Sequence, residues 1–212
     1  MRSFANKLVG VLFLTITSVF VSNSQEINHG LVLGGGLGFI NGLKYDVNGR
    51  IDNIIKEGGD GGFSRKGGIF IGYKLRMSHP QNTFFYDLDL LAGARLMKYS
   101  YYPGKFPSPS VNQFLPSEQV ALYSFSINPS INYRLWRGLY AGAGISPTLY
   151  YRRAKDDRWV FDTSVTPRLG YTFGKIDVAL SYRWGLLNKL LDVDDFSGGR
   201  LSSLDAQLFI SF

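Results

Sequence analysis

The sequence predicts an all-β fold, namely an eight-stranded antiparallel up-and-down transmembrane β-barrel. Eight stretches alternate apolar residues with polar or small residues at every second position, the period of a β-strand. The composition includes 25 Gly, 16 Phe and 13 Tyr, and it suits a barrel with glycines inside and aromatic residues at the membrane interfaces. The connections alternate between short and long, as they do in outer-membrane barrels.

The first 24 residues have the pattern of a secretory signal peptide, which leaves residues 25–212 for the barrel domain. Arg2 and Lys7 precede the apolar run LVGVLFLTITSVFV, and Ser22 and Ser24 supply small residues before a cleavage point at Gln25. The apolar run is short for a transmembrane helix, although an uncleaved N-terminal anchor is the alternative. The chain has no Cys, which excludes disulfides, thiolate metal sites and lipid attachment to a cysteine.

The first four predicted strands lie in the N-terminal two thirds of the chain. They run from about His29 to Ile40, Lys66 to Met77, Thr83 to Tyr99 and Gln119 to Arg134. The fourth has the clearest alternation, with Phe125 and Ile127 on one face and Ser126 and Asn128 on the other. This regular alternation predicts one apolar face and one polar face for each strand.

The other four predicted strands follow with shorter connections. They run from about Leu139 to Arg152, Trp159 to Phe173, Ile176 to Leu186 and Leu204 to Phe212. Three prolines, Pro129, Pro147 and Pro167, lie inside the fourth, fifth and sixth predicted strands, and always on the apolar face. Because a proline removes one ladder donor, we expect a bulge or a local bend at each of them.

The connections predict the orientation of the barrel. The segments after the second, fourth and sixth strands are tight: SHPQN, LWRG and the turn at Gly174–Lys175. The other connections are longer, at about Asn41–Arg65, Ser100–Glu118, Arg153–Arg158 and Leu187–Ser203. Outer-membrane barrels have short periplasmic turns and longer external loops, so we expect both termini on the periplasmic side.

The polar faces of the strands carry charges of both signs in nearly equal number. By strand phase, the predicted lumen residues are Lys74, Arg76, Asp87, Asp89, Arg95, Arg134, Asp162, Arg168, Asp177, Arg183 and Asp205. An eight-stranded barrel has an interior that side chains can fill, so we expect a closed lumen of paired charges. The alternative is that these residues form the solvated face of a soluble sheet.

Aromatic residues near the strand ends predict two interfacial girdles. The external girdle would comprise Tyr99, Tyr101, Tyr102, Tyr151, Trp159 and Trp184, and the periplasmic girdle Phe84, Tyr86, Tyr133, Trp136, Tyr171, Phe173 and Phe212.

The last residues, LDAQLFISF, place Leu208, Ile210 and Phe212 at alternating positions up to the final aromatic residue. With the eight alternating strands and the signal peptide, this ending resembles the small outer-membrane β-barrels of Gram-negative bacteria, of the OmpX and OmpA transmembrane-domain type. That resemblance implies that Leu208, Ile210 and Phe212 form the signal read by the barrel-assembly machinery. Size and signal peptide also resemble the Bacteroidota outer-membrane β-barrel families, including the PorT-like proteins of type IX secretion.

The sequence gives little support for catalysis, and we expect no enzyme, no cofactor and no metal. The two histidines, His29 and His79, fall at the predicted periplasmic end, away from an external rim where a lipid-modifying enzyme would need them. The segment DVNGRIDNIIKE places acidic or amide residues at some calcium-loop positions, but Arg50 and Ile51 break the pattern. The glycines at 34, 35, 36 and 38 are not a dinucleotide motif, because no helix follows them.

The predicted function is that of an integral protein of the cell outer membrane, acting as a structural or loop-mediated binding scaffold. Its partners would be membrane lipid and lipopolysaccharide, with the assembly machinery during biogenesis. The net charge of +7 comes without a basic, aromatic-interleaved cluster, so nucleic acid is not expected. The alternatives are an accessory subunit of a larger outer-membrane secretion or assembly complex, and a narrow pore. The aromatic and proline-rich segment after Ser100 is either a contact site or a packed loop.

Overall fold

The structure is a computed structural model that describes residues 26–47, 50–53, 67–79, 82–100, 117–153, 157–187 and 196–212. The predicted signal peptide, the calcium-like positions Asn48 and Glu57, and the proline-rich segment with Tyr101 and Tyr102 lie outside these residues. No helix in the described part of the chain is long and apolar enough to cross a membrane.

Eight long strands form the barrel wall, and a ninth, short strand extends one of them. The strands are β1 (Glu26–Val47), β2 (Arg50–Asn53), β3 (Gly67–Ser78), β4 (Phe84–Ser100), β5 (Ser117–Trp136), β6 (Leu139–Arg153), β7 (Arg158–Phe173), β8 (Ile176–Gly185) and β9 (Phe196–Ser211). Consecutive long strands pair antiparallel, from β1–β3 through β8–β9. Each predicted strand is present, which confirms the predicted all-β, up-and-down barrel.

The barrel closes through the pairing of β1 with β9. This ladder runs from Gly30 opposite Ser211 to Tyr45 opposite Phe196, and beyond it the Phe212 N–H donates to the His29 carbonyl at 2.9 Å. Closure satisfies the backbone groups of both strands, which would otherwise be left as unpaired edges.

Two predicted connections are shorter than the sequence indicates. β1 continues to Val47 and turns back as β2, with Val47 opposite Arg50. β9 begins at Phe196, whereas the sequence predicts a loop as far as Ser203. The glycines at 198 and 199 resemble a loop in sequence, but β1 pairs on both sides of Gly199, which has a φ of 87° and no partner of its own in this ladder.

Two tight turns define one end of the barrel, here called the turn end. Arg137 and Gly138 join β5 to β6 with φ values of 39° and 93°, and Gly174 precedes β8 with φ 58°. Positive φ at consecutive turn residues matches the twist of a hairpin and favours glycine. The β3–β4 connection, Glu26 and Phe212 lie at this same end. The opposite end, which carries the other connections between the long strands, is called the loop end.

The three strand prolines interrupt ladders without producing bulges, so the expectation of a bulge at each of them was wrong. The β5–β6 ladder has no pairs between Ser126–Thr148 and Ser130–Gly144, and Pro129 and Pro147 both fall in that gap. The register is the same on either side of the gap. Pro167 falls in a comparable gap between β7 and β8. Each proline therefore loses pairing on one side only, while its other ladder continues.

The outer face of the wall is apolar. Leu33, Ile71, Phe125, Leu169 and Leu180 are all at least 44% exposed in the middle parts of their strands. The residues between them point inward and are mostly buried and polar. A soluble barrel would reverse this arrangement, so the fold is that of a transmembrane β-barrel.

Candidate functional site

The centre of the lumen holds two cross-strand ion pairs that the β3–β4 register sets. Lys74 is directly opposite Asp89, and Arg76 is directly opposite Asp87. The Lys74 ammonium lies 3.6 Å from Asp89 and 3.3 Å from Asp87, and Arg76 Nε donates to Asp87 at 2.7 Å. All four side chains are inward in phase and almost fully buried. Opposite charges at facing positions stabilise this strand pair.

Two more strands extend this group across the lumen. Arg168 of β7 donates to Asp89 at 3.1 Å and to Asp87 at 3.5 Å. Asp177 of β8 accepts from Arg76 at 2.9 Å. The resulting central cluster comprises Lys74, Arg76, Arg168, Asp87, Asp89 and Asp177. Three cations and three carboxylates balance, as a buried network of charges requires.

A second group of charges lies nearer the loop end. Asp205 of β9 accepts from Arg95 at 2.8 Å and from the Ser203 hydroxyl at 2.8 Å, and Arg183 is 3.7 Å from it. The buried Asp162 accepts the backbone N–H groups of Thr163 and Leu187, at 2.7 and 3.0 Å. Asp162 therefore fixes the backbone where β8 ends.

Arg134 is the one predicted lumen residue that lies outside the buried interior. It has the inward phase of β5 but sits at the turn end, where it is exposed. Its guanidinium donates to the Asn82 carbonyl at 3.1 Å and lies 5.5 Å from the ring of Phe85. The predicted inward direction of Arg134 therefore agrees with the strand alternation, but its position near the end of β5 places this charge at the mouth of the barrel.

Arg152 was missed by the sequence analysis although it is only 1% exposed. It occupies an even-numbered position of β6, in phase with the buried Tyr140 and Tyr150. That phase was the available signal for an inward side chain.

The interior also contains aromatic residues where the sequence analysis expected polar ones. Arg76 lies 4.4 Å from the ring of Phe85, 5.4 Å from that of Tyr140 and 5.5 Å from that of Phe209. The Tyr140 hydroxyl also donates to Asp177 at 2.8 Å. These rings fill the space around the guanidinium and attract its charge. Phe209 interrupts the alternation of the final strand, which was the signal of its inward position.

Aromatic residues line the outer rims at both ends. Near the loop end, Tyr151 lies between Tyr123 and Trp159, with ring centroids 6.3 and 5.0 Å away, and Trp184 is exposed beside the end of β8. The side chain of Tyr99 lies outside the described residues. Near the turn end are the exposed residues Phe84, Tyr86, Tyr133, Trp136, Phe173 and Phe212 and the half-buried Tyr171. The rows fit the interfacial girdles of a membrane barrel.

A cavity of about 320 Å³ opens at the turn end of the lumen. Its walls include Phe85 and Phe209, and Arg76, Tyr140 and Asp177 lie on the side of the central cluster. On the loop side, a separate cavity of only about 30 Å³ is lined by residues that include Arg95, Arg183 and Asp205. The central cluster lies between these two spaces.

The described residues contain no group of three or more His, Cys, Asp or Glu side chains that could hold a metal ion. Asp46 and Asp52 of the calcium-like segment lie on the paired strands β1 and β2. The Tyr73 hydroxyl lies 2.7 Å from Nδ1 of the exposed His29. His79 directly follows β3, so both histidines lie at the turn end, as predicted.

No protein-family model and no curated protein matches the chain. Among solved structures, it is similar to Neisserial surface protein A, at 13% identity and a TM-score of 0.43, over 90% of this chain and 100% of that chain. It is also similar to the outer membrane protein OprG from Pseudomonas aeruginosa, at 8% identity and a TM-score of 0.42, over 89% and 95%.

A third similar structure is Ail, the attachment invasion locus protein of Yersinia pestis. The identity is 12% and the TM-score 0.34, over 88% of this chain and 99% of that chain. At these identities and TM-scores, nothing about the ligands or activities of the three proteins carries over to this chain.

Proposed function

We propose that the protein is an integral outer-membrane barrel with a closed lumen, and that it acts as a structural or loop-mediated binding scaffold. The observation that carries this proposal is the central cluster. Its six side chains come from four strands, are almost fully buried and are mutually paired in the middle of the lumen. Opening a path through them would separate buried charges, which costs several kcal/mol, on the order of 3–5 for each broken pair.

The apolar outer face supports the membrane location. Exposed apolar side chains cover the wall between two aromatic rows, and a surface of this size in water would cause aggregation. In outer-membrane barrels, short turns face the periplasm. The turn end, with the N-terminal and C-terminal residues of the barrel domain, would then be periplasmic. The longer connections would then face outward and present the surface for binding.

Planar-bilayer recording separates a closed scaffold from a narrow pore. The purified, refolded protein is expected to insert without single-channel conductance, whereas a general porin reconstituted in parallel conducts. Heat-modifiable gel mobility of the same sample verifies that the barrel is folded. Stepwise conductance from the folded barrel would contradict the closed-lumen proposal.

Affinity purification from native membranes in mild detergent tests the scaffold function. Partners that are lost when residues 101–116 are replaced by a short turn would indicate loop-mediated binding. The segment 54–66, in another long connection, is replaced separately in the same way, so that binding can be assigned to one of the two connections. Stable co-purification with a larger outer-membrane complex, regardless of either replacement, would instead indicate an accessory subunit.

A further inference from the structure

The cavity at the turn end is blind. Its volume of about 320 Å³ is at the lower end of the range of about 300–1,000 Å³ typical of small-molecule pockets. The Gly138 and Gly174 turns and the strand-terminal residues Glu26 and Ser211 line its mouth, and the central cluster closes its inner side. A ligand could therefore enter from the turn end only, and it would have to be small.

The floor of this cavity is already satisfied by internal bonds. One carboxylate oxygen of Asp177 accepts from Tyr140, and the other accepts from Arg76 and from Thr172 at 2.9 and 2.8 Å. Arg76 is also paired with Asp87 through two nitrogens, at 2.7 and 2.9 Å. Because these charges are mutually paired, a charged ligand would have to be bound by the charged side chains around the mouth of the cavity, here called the rim.

Three charged side chains line the rim, two of them on strands and one in a turn. Glu26 begins β1 in phase with the inward Val32, Arg134 shares the phase of Asn132 in β5, and Lys175 lies in the turn before β8. Around the wall, Arg134 on β5 is three strands from β1, and Lys175, which directly precedes β8, is two strands from β1 in the other direction. The carboxylate and the two cations therefore stand at three separate points of the mouth, with Arg134 on the far side from Glu26.

Arg134 is held in place for such a role. One terminal nitrogen is bonded to the Asn82 carbonyl, and the guanidinium lies over the Phe85 ring. The remaining N–H groups of this planar fork suit a carboxylate. Asn28, Ser78 and Ser211 add hydrogen-bonding groups to the lining of the cavity.

From this arrangement, we propose that the cavity at the turn end binds a short peptide with free amino and carboxyl termini. The ammonium group pairs with Glu26, and the carboxylate pairs with Arg134, while Lys175 adds positive charge at the mouth. Amide groups of the peptide bond to hydroxyl and amide side chains of the lining, and small apolar side chains pack against Phe85 and Phe209. A ligand with only one of the two charges would leave one side of the rim without its partner.

Isothermal titration of the full chain in detergent micelles, with three probes, tests the proposal. Trialanine is expected to bind with a dissociation constant of about 0.1–1 mM, the range that per-atom affinities give for a ligand of this size. N-acetyl-trialanine and trialanine amide, each lacking one terminal charge, are expected to bind about fivefold more weakly or worse. The proposal would be overturned if trialanine did not bind, or if all three probes bound equally. It would also be overturned if only one of the two modifications, N-acetylation or C-terminal amidation, weakened binding.

Charge-neutralising variants connect the effect to the rim. Glu26→Gln should weaken the binding of trialanine and remove the loss of affinity that N-acetylation causes. The double variant Arg134→Gln, Lys175→Gln should remove the loss of affinity that C-terminal amidation causes. The control is Arg137→Gln, because Arg137 lies in the β5–β6 turn at the same end of the barrel but stacks on Trp136 at 5.1 Å and does not line the cavity. Heat-modifiable mobility establishes that each variant is folded. Unchanged penalties in folded variants, or a loss as large in the Arg137 control, would show that the rim is not the site.

Discussion

Arg76 holds Asp87 by two parallel hydrogen bonds, Nε to Oδ1 at 2.7 Å and Nη2 to Oδ2 at 2.9 Å, in the buried middle of the lumen. The same carboxylate lies within 3.5 Å of Lys74 and Arg168. Asp87 is therefore shared by all three cations of the central cluster, and the balance of buried charge depends on it.

Replacing Asp87 should strongly destabilise the barrel. Asp87→Asn keeps the shape of the side chain but leaves three buried cations with two carboxylates, so we expect a loss of about 3–5 kcal/mol in the free energy of unfolding. Urea unfolding of the protein in phospholipid vesicles measures the loss. Adding Lys74→Met should recover part of it, because the numbers of buried positive and negative charges are then equal again.

The control for this prediction is Asp157→Asn. Asp157 is exposed near the loop end, where it accepts a hydrogen bond from Tyr151 at 2.6 Å. Substitutions at such surface sites usually change stability by about 0.5 kcal/mol or less. Equal losses from Asp87→Asn and Asp157→Asn would contradict the view that the central cluster acts as a buried, charge-balanced unit.

The strand phases, and with them the inner and outer faces, could be predicted from the sequence, because the period of two is a local property of each strand. The depth of each side chain along the barrel axis could not be predicted in this way. Arg134 and Arg152 both have the inward phase, yet Arg134 is exposed and Arg152 is buried. The reason is that β5 ends two residues after Arg134, whereas the β4–β5 pairing continues past Arg152 to Ser100 and Ser117.

Non-local pairing also decided the features that the sequence analysis missed. The Gly-rich start of β9 has weak strand propensity, but pairing with β1 on both sides of Gly199 makes it part of the sheet. The balance of charges on the inner faces indicated that the lumen residues would pair. Which cation meets which carboxylate depends on the register and on contacts across the lumen, such as Arg168 with Asp89. A single strand does not contain that information.

A charged residue on the outer face should destabilise the barrel more in the middle of a strand than near a strand end. Leu180 lies in the middle of β8 and is 54% exposed on the outer face, and Ile176 begins the same strand and is 45% exposed. Leu180→Arg should cost about 2–4 kcal/mol in vesicles, against about 0–1 for Ile176→Arg near the interface. Equilibrium unfolding in the same lipid measures both. Similar costs for the two variants would contradict the membrane placement of this face.

Restoring a donor in the gap of the β5–β6 ladder should add a cross-strand hydrogen bond. Pro147 keeps its pairing with β7 at Thr163, so its missing N–H belongs to the side facing β5. In Pro147→Ala, the new amide at position 147 is expected to exchange slowly with solvent deuterium. The net change in stability should stay within about 1 kcal/mol, because the gained bond is offset by greater freedom of the unfolded chain. Hydrogen exchange followed by NMR provides the measurement, with the paired Leu149 amide as the reference. Rapid exchange at position 147 in a folded variant would show that something other than the missing donor separates the strands here.

The final aromatic residue allows the assembly signal to be distinguished from simple interfacial anchoring. Phe212 is 64% exposed and Phe173 is 60% exposed, and both lie at the turn end. If both rings only anchor the barrel in the interface, Phe212→Ala and Phe173→Ala should reduce its amount in the membrane equally. We expect Phe212→Ala to reduce the amount of folded barrel in cells severalfold more than Phe173→Ala, while the two purified variants refold into detergent with similar yields. Heat-modifiable bands from membrane fractions and from refolding reactions give both measurements. Equal losses in cells would contradict the role of Phe212 as an assembly signal. Poor refolding of Phe212→Ala alone would instead assign the loss to closure of the β1–β9 ladder, where the Phe212 N–H donates to the His29 carbonyl.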